Sequence, residues 1–487
     1  MKRRVIVYLL AKILMVEGLL MLLPILIGLI YRESWQQIGA YLFVSVLLFM
    51  LAGLGHLMRP QHVNLYNRDG MVIVALGWLL LSFFGALPFV LSGEIPNIFD
   101  AFFEISSGFT TTGSSILPKL APLANSSLFW RSFSHLIGGM GFLVFTLAIL
   151  PNSSHYVQLM KAEVPGPVFG KIVSKLSGTA RILYGIYLAM TLILIFILIL
   201  LRVPVFDAML LAFGTAGTGG FAINDGGFAI YQHAAAVEWV IGVGMLVFGI
   251  NFNVFYFILI GFAKEVIKTD EEIRYYLGMI LGVTVLIFIN LQTKVDLAAT
   301  PIRSVFFTVS SIITTTGYAT ADFELWPLFS HTLLIILMFI GGCAGSTAGG
   351  IKVSRVLIYF KQSIAEVKRA AQSGRVVVPK LSGKPINKIM ASKVTNYLLV
   401  YILLFLMILV SVSIETQDFT TAFSSVAATF NNIGPGLEMV GPTDNFSFYS
   451  NWNKLVLSLG MIAGRLEIYP MIILFSPTTL RQYVFRK

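Results

Sequence analysis

Charged side chains are scarce in this chain: 12% of its 487 residues are Asp, Glu, Lys or Arg, against 57% hydrophobic, and the mean hydropathy is +0.84. That balance excludes an ordinary soluble domain and makes lipid the main solvent. Cysteine is almost absent; Cys343 stands alone in an apolar, glycine-rich stretch, which excludes an internal disulfide. The six histidines, His56, His62, His135, His155, His233 and His331, are scattered and show no HExxH-type ligand spacing. No phosphate-binding or dinucleotide-binding glycine motif stands between a strand and a helix. An intramembrane enzyme would need a nucleophile with its base, or clustered metal ligands, at membrane depth, and the sequence supplies neither, so we expect no catalysis.

Long apolar runs are what the chain has in abundance. A spanning helix needs roughly 20 apolar residues, because the hydrocarbon core is about 30 Å thick and a helix rises about 1.5 Å per residue. Ten stretches meet that test, near 5–30, 38–58, 70–92, 129–150, 181–201, 235–262, 274–292, 331–350, 392–413 and 453–476. The first is too long for a signal-peptide h-region and no small-residue cleavage site follows it, so it counts as a span.

Ten spans put both termini on one side, and the loops then sort by sign. One set carries Lys2, Arg3, Arg4, Arg59, Arg68, Lys161, Lys171, Lys175, Arg181, Lys264, Lys268, Arg274, the ten basic residues from Lys352 to Lys393, and Arg481, Arg486 and Lys487. The other set is poor in Lys and Arg and holds Asp100, Glu104, Asp207, Asp225, Asp322, Glu324, Asp418 and Asp444. Cytoplasmic loops retain Lys and Arg, so both termini are expected in the cytoplasm of a multi-pass inner-membrane protein. The net charge of +11 is thereby accounted for without a nucleic-acid partner. For the basic stretch 352–393, positive-inside retention with anionic lipid contact and a docking surface for a cytoplasmic regulator stay equally open.

On the acidic side lie four segments too short to cross and too apolar for ordinary loops: 99–117, 206–224, 300–320 and 417–437. Aligned on a glycine they run from Asp100 to Gly113, Asp207 to Gly220, Ser304 to Gly317 and Thr421 to Gly434. Each opener is an N-cap type, so each segment predicts a short helix of about ten residues ending just before its glycine. The loops read Thr110-Thr111-Thr112-Gly113-Ser114, Gly217-Thr218-Gly219-Gly220-Phe221, Thr314-Thr315-Thr316-Gly317-Tyr318 and Asn431-Asn432-Ile433-Gly434-Pro435. A dehydrated monovalent cation needs a cage of oxygens, which backbone carbonyls supply when four strands converge on an axis. Glycine permits the angles that turn carbonyls inward, and helix C-termini add partial negative charge.

The expected fold is therefore an all-α polytopic membrane protein. Four span, pore-loop, span repeats stand in a pseudo-fourfold arrangement around one pore, and two extra transmembrane helices precede them. The divisions are 1–66 for that pair, then 67–165, 166–265, 266–385 and 386–487 for the repeats. In the third repeat, Gly341 to Gly350 interrupts an apolar helix with ten small residues beside Lys352, which predicts a non-helical intramembrane loop that could gate the pore; close helix packing is the alternative. Arg465 and Glu467 lie in an apolar run and need partners or water; interfacial positions also fit Glu467 and Lys12, and Glu17 is open in the same way. An ion-coupled secondary transporter, sodium or proton coupled, is the rival reading. It predicts inverted repeats, whereas an even number of spans separates successive glycines here.

The glycine loops, GGCAGSTAGGIK at 341–352, NNIGPG at 431–436 and GRLEIYP at 464–470 resemble the Trk/Ktr/HKT superfamily of potassium transporters over nearly the whole chain. The two spans before residue 70 make the likeness strongest to the bacterial TrkH-type subunits. The resemblance implies potassium uptake as a homodimer with one pore per protomer. It also implies a gating ring of cytoplasmic TrkA-type subunits that bind ATP/ADP or NAD(H), with no covalent cofactor on this chain. By position it assigns ion binding to Thr111 and Thr112, Thr218 and Gly219, Thr315 and Thr316, and Asn432 and Ile433, each pair preceding its glycine. The family's intramembrane loop falls on 341–350, with Gly345, Gly349, Gly350 and Lys352, and its facing arginine on Arg465. None of the four glycines is replaced by serine, the change that accompanies sodium preference in HKT relatives, so potassium is the expected ion.

Overall fold

The computed structural model describes residues 2–60, 66–141, 176–294, 301–372 and 377–481. Lys161, Lys171, Lys175, Arg486, Lys487, the end of the 129–150 span and the 165/166 boundary lie outside those residues. Apart from a two-stranded hairpin, Lys380–Leu381 with Lys384–Pro385, the described elements are helices.

One order of elements recurs four times. A long helix (Asn67–Ser92, Leu176–Leu200, Glu271–Gln292, Lys388–Ser413) leads to a short one (Ile98–Phe109, Val205–Gly217, Ile302–Ile313, Phe419–Phe430). A glycine loop follows, and then an inner helix: Asn125–Gly139, Ala234–Phe248, Leu328–Ile340 or Asn451–Arg465. Before the first unit, Arg3–Ile30 and Trp35–Leu57 pack on each other and on Asn67–Ser92. Six helices among the described residues are long and apolar enough to cross a membrane, or seven if the pair Ala234–Phe248 and Phe252–Leu259, bent by 92°, counts as one broken span.

The sequence predicts a break in one of its ten spans, 331–350, whereas the structure ends all four inner helices short. The inner helices have 13 to 15 residues, which at about 1.5 Å each cover only two-thirds or so of a hydrocarbon core about 30 Å thick. They stop where the backbone leaves helical geometry: Gly141 at φ +83°, the 249–251 bend, Gly341 at φ +74°, and Glu467 and Ile468 at φ +56° and +71°. Non-helical backbone at such depth survives only where protein or water surrounds it.

The short helices start three residues earlier than the sequence implies. The cap positions are Asn97, Pro204, Pro301 and Asp418, so Asp100, Asp207, Ser304 and Thr421 sit inside the first turn. Asn97 accepts from the N–H of Phe99, and Asp418 from that of Thr421 at 2.7 Å. Asp100 instead pairs with Lys454 at 2.6 Å.

Each short helix packs between the inner helix of its own unit and that of the unit before. Asn125–Gly139 meets Val205–Gly217, Ala234–Phe248 meets Ile302–Ile313, Leu328–Ile340 meets Phe419–Phe430, and Asn451–Arg465 returns to Ile98–Phe109. The cycle of contacts closes on itself.

Candidate functional site

The ends of the four short helices converge. Thr111, Thr218, Thr315 and Asn432, two residues before each glycine, all adopt left-handed backbone angles, with φ of +55°, +55°, +54° and +57°. Each closes the same pair of bonds: Thr111 N to Gly108 O and Thr112 N to Ser107 O in the first unit, and the equivalents at Thr218/Gly219, Thr315/Thr316 and Asn432/Ile433. This is the Schellman ending, whose left-handed position glycine normally fills. A β-branched residue there costs about 1–2 kcal/mol, and three of the four are threonine. Strain repeated at one register in every unit marks the loops as geometrically constrained.

The loops touch in chain order. A side chain on Gly113 would overlap the carbonyl oxygen of Gly219, one on Gly220 that of Thr316, and one on Gly317 that of Ile433; on Gly434 it would stand 3.0 Å from that of Thr112. Every glycine thus lies against the carbonyl that precedes the next unit's glycine, and the fourth returns to the first. Glycine is required twice over, by space and by φ values of +84°, +65°, +83° and +110°. Hydroxyl pairs brace the strands, Thr110 with Thr112 at 2.7 Å and Thr314 with Thr316 at 2.8 Å. Asn432 Nδ2 donates to Thr112 Oγ1 at 2.9 Å and to the carbonyl of Met461, tying the fourth loop to the first. A cavity of about 780 Å³, lined by Gly113, Gly220, Gly317 and Gly434 with Asp225 and Asp444, opens on one side.

The 341–350 segment packs against the third and fourth glycine loops. It is non-helical and buried. Gly349 abuts the carbonyl of Asn431 and donates its N–H to Thr315 Oγ1 at 2.6 Å, so this loop bonds directly to a glycine-loop residue. Gly345 and Gly350 take φ of +73° and +75°, and Gly345 lies against Asn251 in the bend of the second unit. Lys352, 2% exposed, turns its ammonium back to the carbonyl of Ala348. Arg465 donates to the carbonyls of Thr347 at 2.7 Å and of Gly138 and Gly139 at 2.5 Å each, bridging the loop to the first inner helix. Five N–H donors in a planar fork suit a guanidinium to three carbonyls where a lone charge in lipid would cost at least a few kcal/mol.

Comparison with known proteins fits this geometry. The profile of the TrkH family, described as cation transport proteins, matches residues 39–482. The chain belongs to the TrkH family. It is 36% identical over 472 residues to the Trk system potassium uptake protein TrkH of Salmonella typhimurium, covering 95% of this chain and 96% of that one. It is 32% identical over 491 residues to the TrkH of Halomonas elongata, covering 99% and 100%. The crystal structure of the potassium transporter TrkH from Vibrio parahaemolyticus superposes with a TM-score of 0.87 at 31% identity, covering 99% of this chain and all of that one.

In this TrkH-family chain the structure brings the four loops read from sequence together and sets Gly349 against them, with Gly345, Gly350 and Lys352 in or beside the same segment and Arg465 bonded to it. It corrects one acid. Glu104, counted from sequence among the acids of the Lys- and Arg-poor loops, is fully buried; it pairs with Arg131 at 2.7 Å and accepts from Ser115 Oγ and the Ile116 N–H behind the first loop. Arg131 also stacks over Phe221, 4.2 Å from its centroid, bracing the second loop. Sequence reasoning missed Arg131, although a lone arginine in LFWRSFSHLIGG was the available signal. Glu467 is not interfacial: it pairs with Arg355 at 2.5 Å, and Arg355 lies over Tyr397. Glu17 is buried beside Gly85, and neither of its carboxyl oxygens has a hydrogen-bond partner, while Lys12 lies over Tyr8.

Proposed function

We propose that this protein takes up potassium across the bacterial inner membrane, through one path enclosed by its four glycine loops in pseudo-fourfold arrangement. The single observation that carries the reading is the closed cycle in which each loop glycine lies against the next loop's carbonyl. Carbonyl rings at Thr111–Gly113, Thr218–Gly220, Thr315–Gly317 and Asn432–Gly434 replace the ion's hydration shell. The negative ends of four short helices face the same point and favour a cation there. The full-length TrkH relatives named above are potassium uptake proteins, which supplies the choice of ion.

The repeats 67–165, 166–265, 266–385 and 386–487 each contribute one loop, and 1–66 flanks the first. The 341–350 loop with Lys352 and Arg465 is the gate, a reading supported by its contacts with Thr315 and Asn431. Lys and Arg distribution supports cytoplasmic termini. A homodimer and a nucleotide-binding TrkA-type ring on the cytoplasmic side complete the proposal. The test is growth in low potassium, together with rubidium uptake, in a bacterium stripped of its own potassium uptake systems and given a cognate regulator. Restored growth and uptake are expected, and a well-expressed protein that moves no potassium would refute the reading.

A further inference from the structure

The intramembrane loop hangs from one carboxylate. Glu272, in the first turn of Glu271–Gln292, is 7% exposed, and its Oε1 accepts from the N–H of Ala344 at 2.7 Å and of Ser354 at 3.0 Å. Ala344 lies within the loop and Ser354 in the first turn of the helix Val353–Ala371 that follows it, so a single side chain ties the loop to the helix it leads into. The clasp is itself fixed, because Asp270 Oδ1 accepts from the Glu272 N–H at 2.8 Å.

The neighbouring Glu271 turns to the hairpin. Its N–H donates to Ser382 Oγ at 3.2 Å, and its carboxylate pairs with Lys361, whose ammonium also donates to the carbonyl of Lys380 at 2.7 Å. Leu381, 5% exposed, sits in the apolar cluster that holds Ile358, Val353 and Cys343. Glu271 and Glu272, at a helix start capped by Asp270, thus join the hairpin on one side to the loop on the other.

We propose that Glu272 is the positioning residue that latches the gate, and that the 380–385 hairpin is the handle through which a force on that face reaches the latch. The proposal rests on the reading of 341–350 as a gate. Without Glu272, two buried N–H groups lose a charged acceptor, which shifts the loop's populations by about tenfold or more. Pulling Leu381 from its cluster moves Glu271, and the shared helix start carries Glu272 with it.

Cys343 gives the readout, since it is buried within the loop and is the chain's one cysteine. The full-length protein in proteoliposomes is assayed for maleimide labelling of Cys343, rubidium flux and potassium over sodium preference. Glu272→Ala should speed labelling and flux about tenfold with the ion preference unchanged. Glu272→Gln, whose amide oxygen still accepts, should stay near wild type, and Leu381→Ser should shift labelling and flux in the direction of Glu272→Ala. Gly113→Ser should change preference without changing labelling. If Arg465→Ala raises labelling and flux while Glu272→Ala raises neither, the latch is overturned and the gate stands. If labelling rises in both variants and flux in neither, the gate reading falls and the latch with it. Should Glu272→Ala fail to assemble, unchanged labelling in Leu381→Ser overturns the proposal from the handle side.

Discussion

Thr111, Thr218, Thr315 and Asn432 hold backbone angles that suit glycine, yet the glycine common to all four loops comes two places later. Replacing Thr218 by glycine removes a steric penalty of about 1–2 kcal/mol, so we predict a higher melting temperature in detergent together with weaker potassium over sodium preference. A variant as selective as wild type would mean that the strained angle does not shape the loop. At the Glu104–Arg131 pair, Arg131→Met leaves a buried carboxylate without its cation, at a cost of about 3–5 kcal/mol; changing Glu104 to Gln as well should recover part of it in a thermal melt. At this scale the sequence was half legible. The four glycines stood out by recurrence, whereas the left-handed threonines could not, because propensity argues against Thr at such a position. Asp100, Asp207, Ser304 and Thr421 looked like caps because acids and hydroxyls are favoured anywhere in a first turn; tertiary packing placed the true starts three residues earlier.

The inner helices are the elements that sequence reading described least well. Hydropathy counts apolar residues and does not register a break, so 235–262 and 453–476 read as straight spans although one bends by 92° and the other reverses φ at Glu467 and Ile468. The breach at 341–350 was legible because its ten small residues, five of them glycine, leave no large apolar side chain to continue the helix. Packing explains the glycines at the ends of these helices. A side chain on Gly138 would overlap the carbonyl of Phe109, and one on Gly464 that of Phe430, the same position in the first and fourth units. We predict that Gly138→Ala and Gly464→Ala each reduce folded protein recovered by size exclusion, while Gly185→Ala, which has open space, does not. Arg465→Gln, which gives up several carbonyl bonds at the gate, should raise rubidium flux several-fold in proteoliposomes, and unchanged flux would count against a gating role.

At the scale of the whole molecule, the acids at the cavity mouth are not equivalent. Asp225 is used on the N–H groups of Leu120 and Ala121, whereas Glu324 stands beside Gly441 near Asp444. Burial first, then Asp322, Glu438 and Asp444, hold the Glu324 carboxyl above the ordinary carboxylate range. A raised carboxyl takes up its proton at a higher pH than its neighbours. Acidifying that side should therefore remove negative charge from the mouth early, and uptake from low potassium should fall with pH less steeply in Glu324→Gln than in wild type. The recurrence of four glycine loops was visible in the sequence because their spacing is regular. The closing contact from the fourth loop back to the first was not, since it joins Gly434 to Thr112 across most of the chain. The central claim is that all four loops line one ion path. It is tested most directly by the potassium over sodium permeability ratio of Gly113→Ser, Gly220→Ser, Gly317→Ser and Gly434→Ser, each measured singly in reconstituted membranes. The account predicts a lower ratio in every variant, with the smallest change at Gly434, where an added side chain would stand 3.0 Å from the Thr112 carbonyl oxygen. A ratio that stays at the wild-type value in any well-folded variant would take that loop out of the path and contradict the claim.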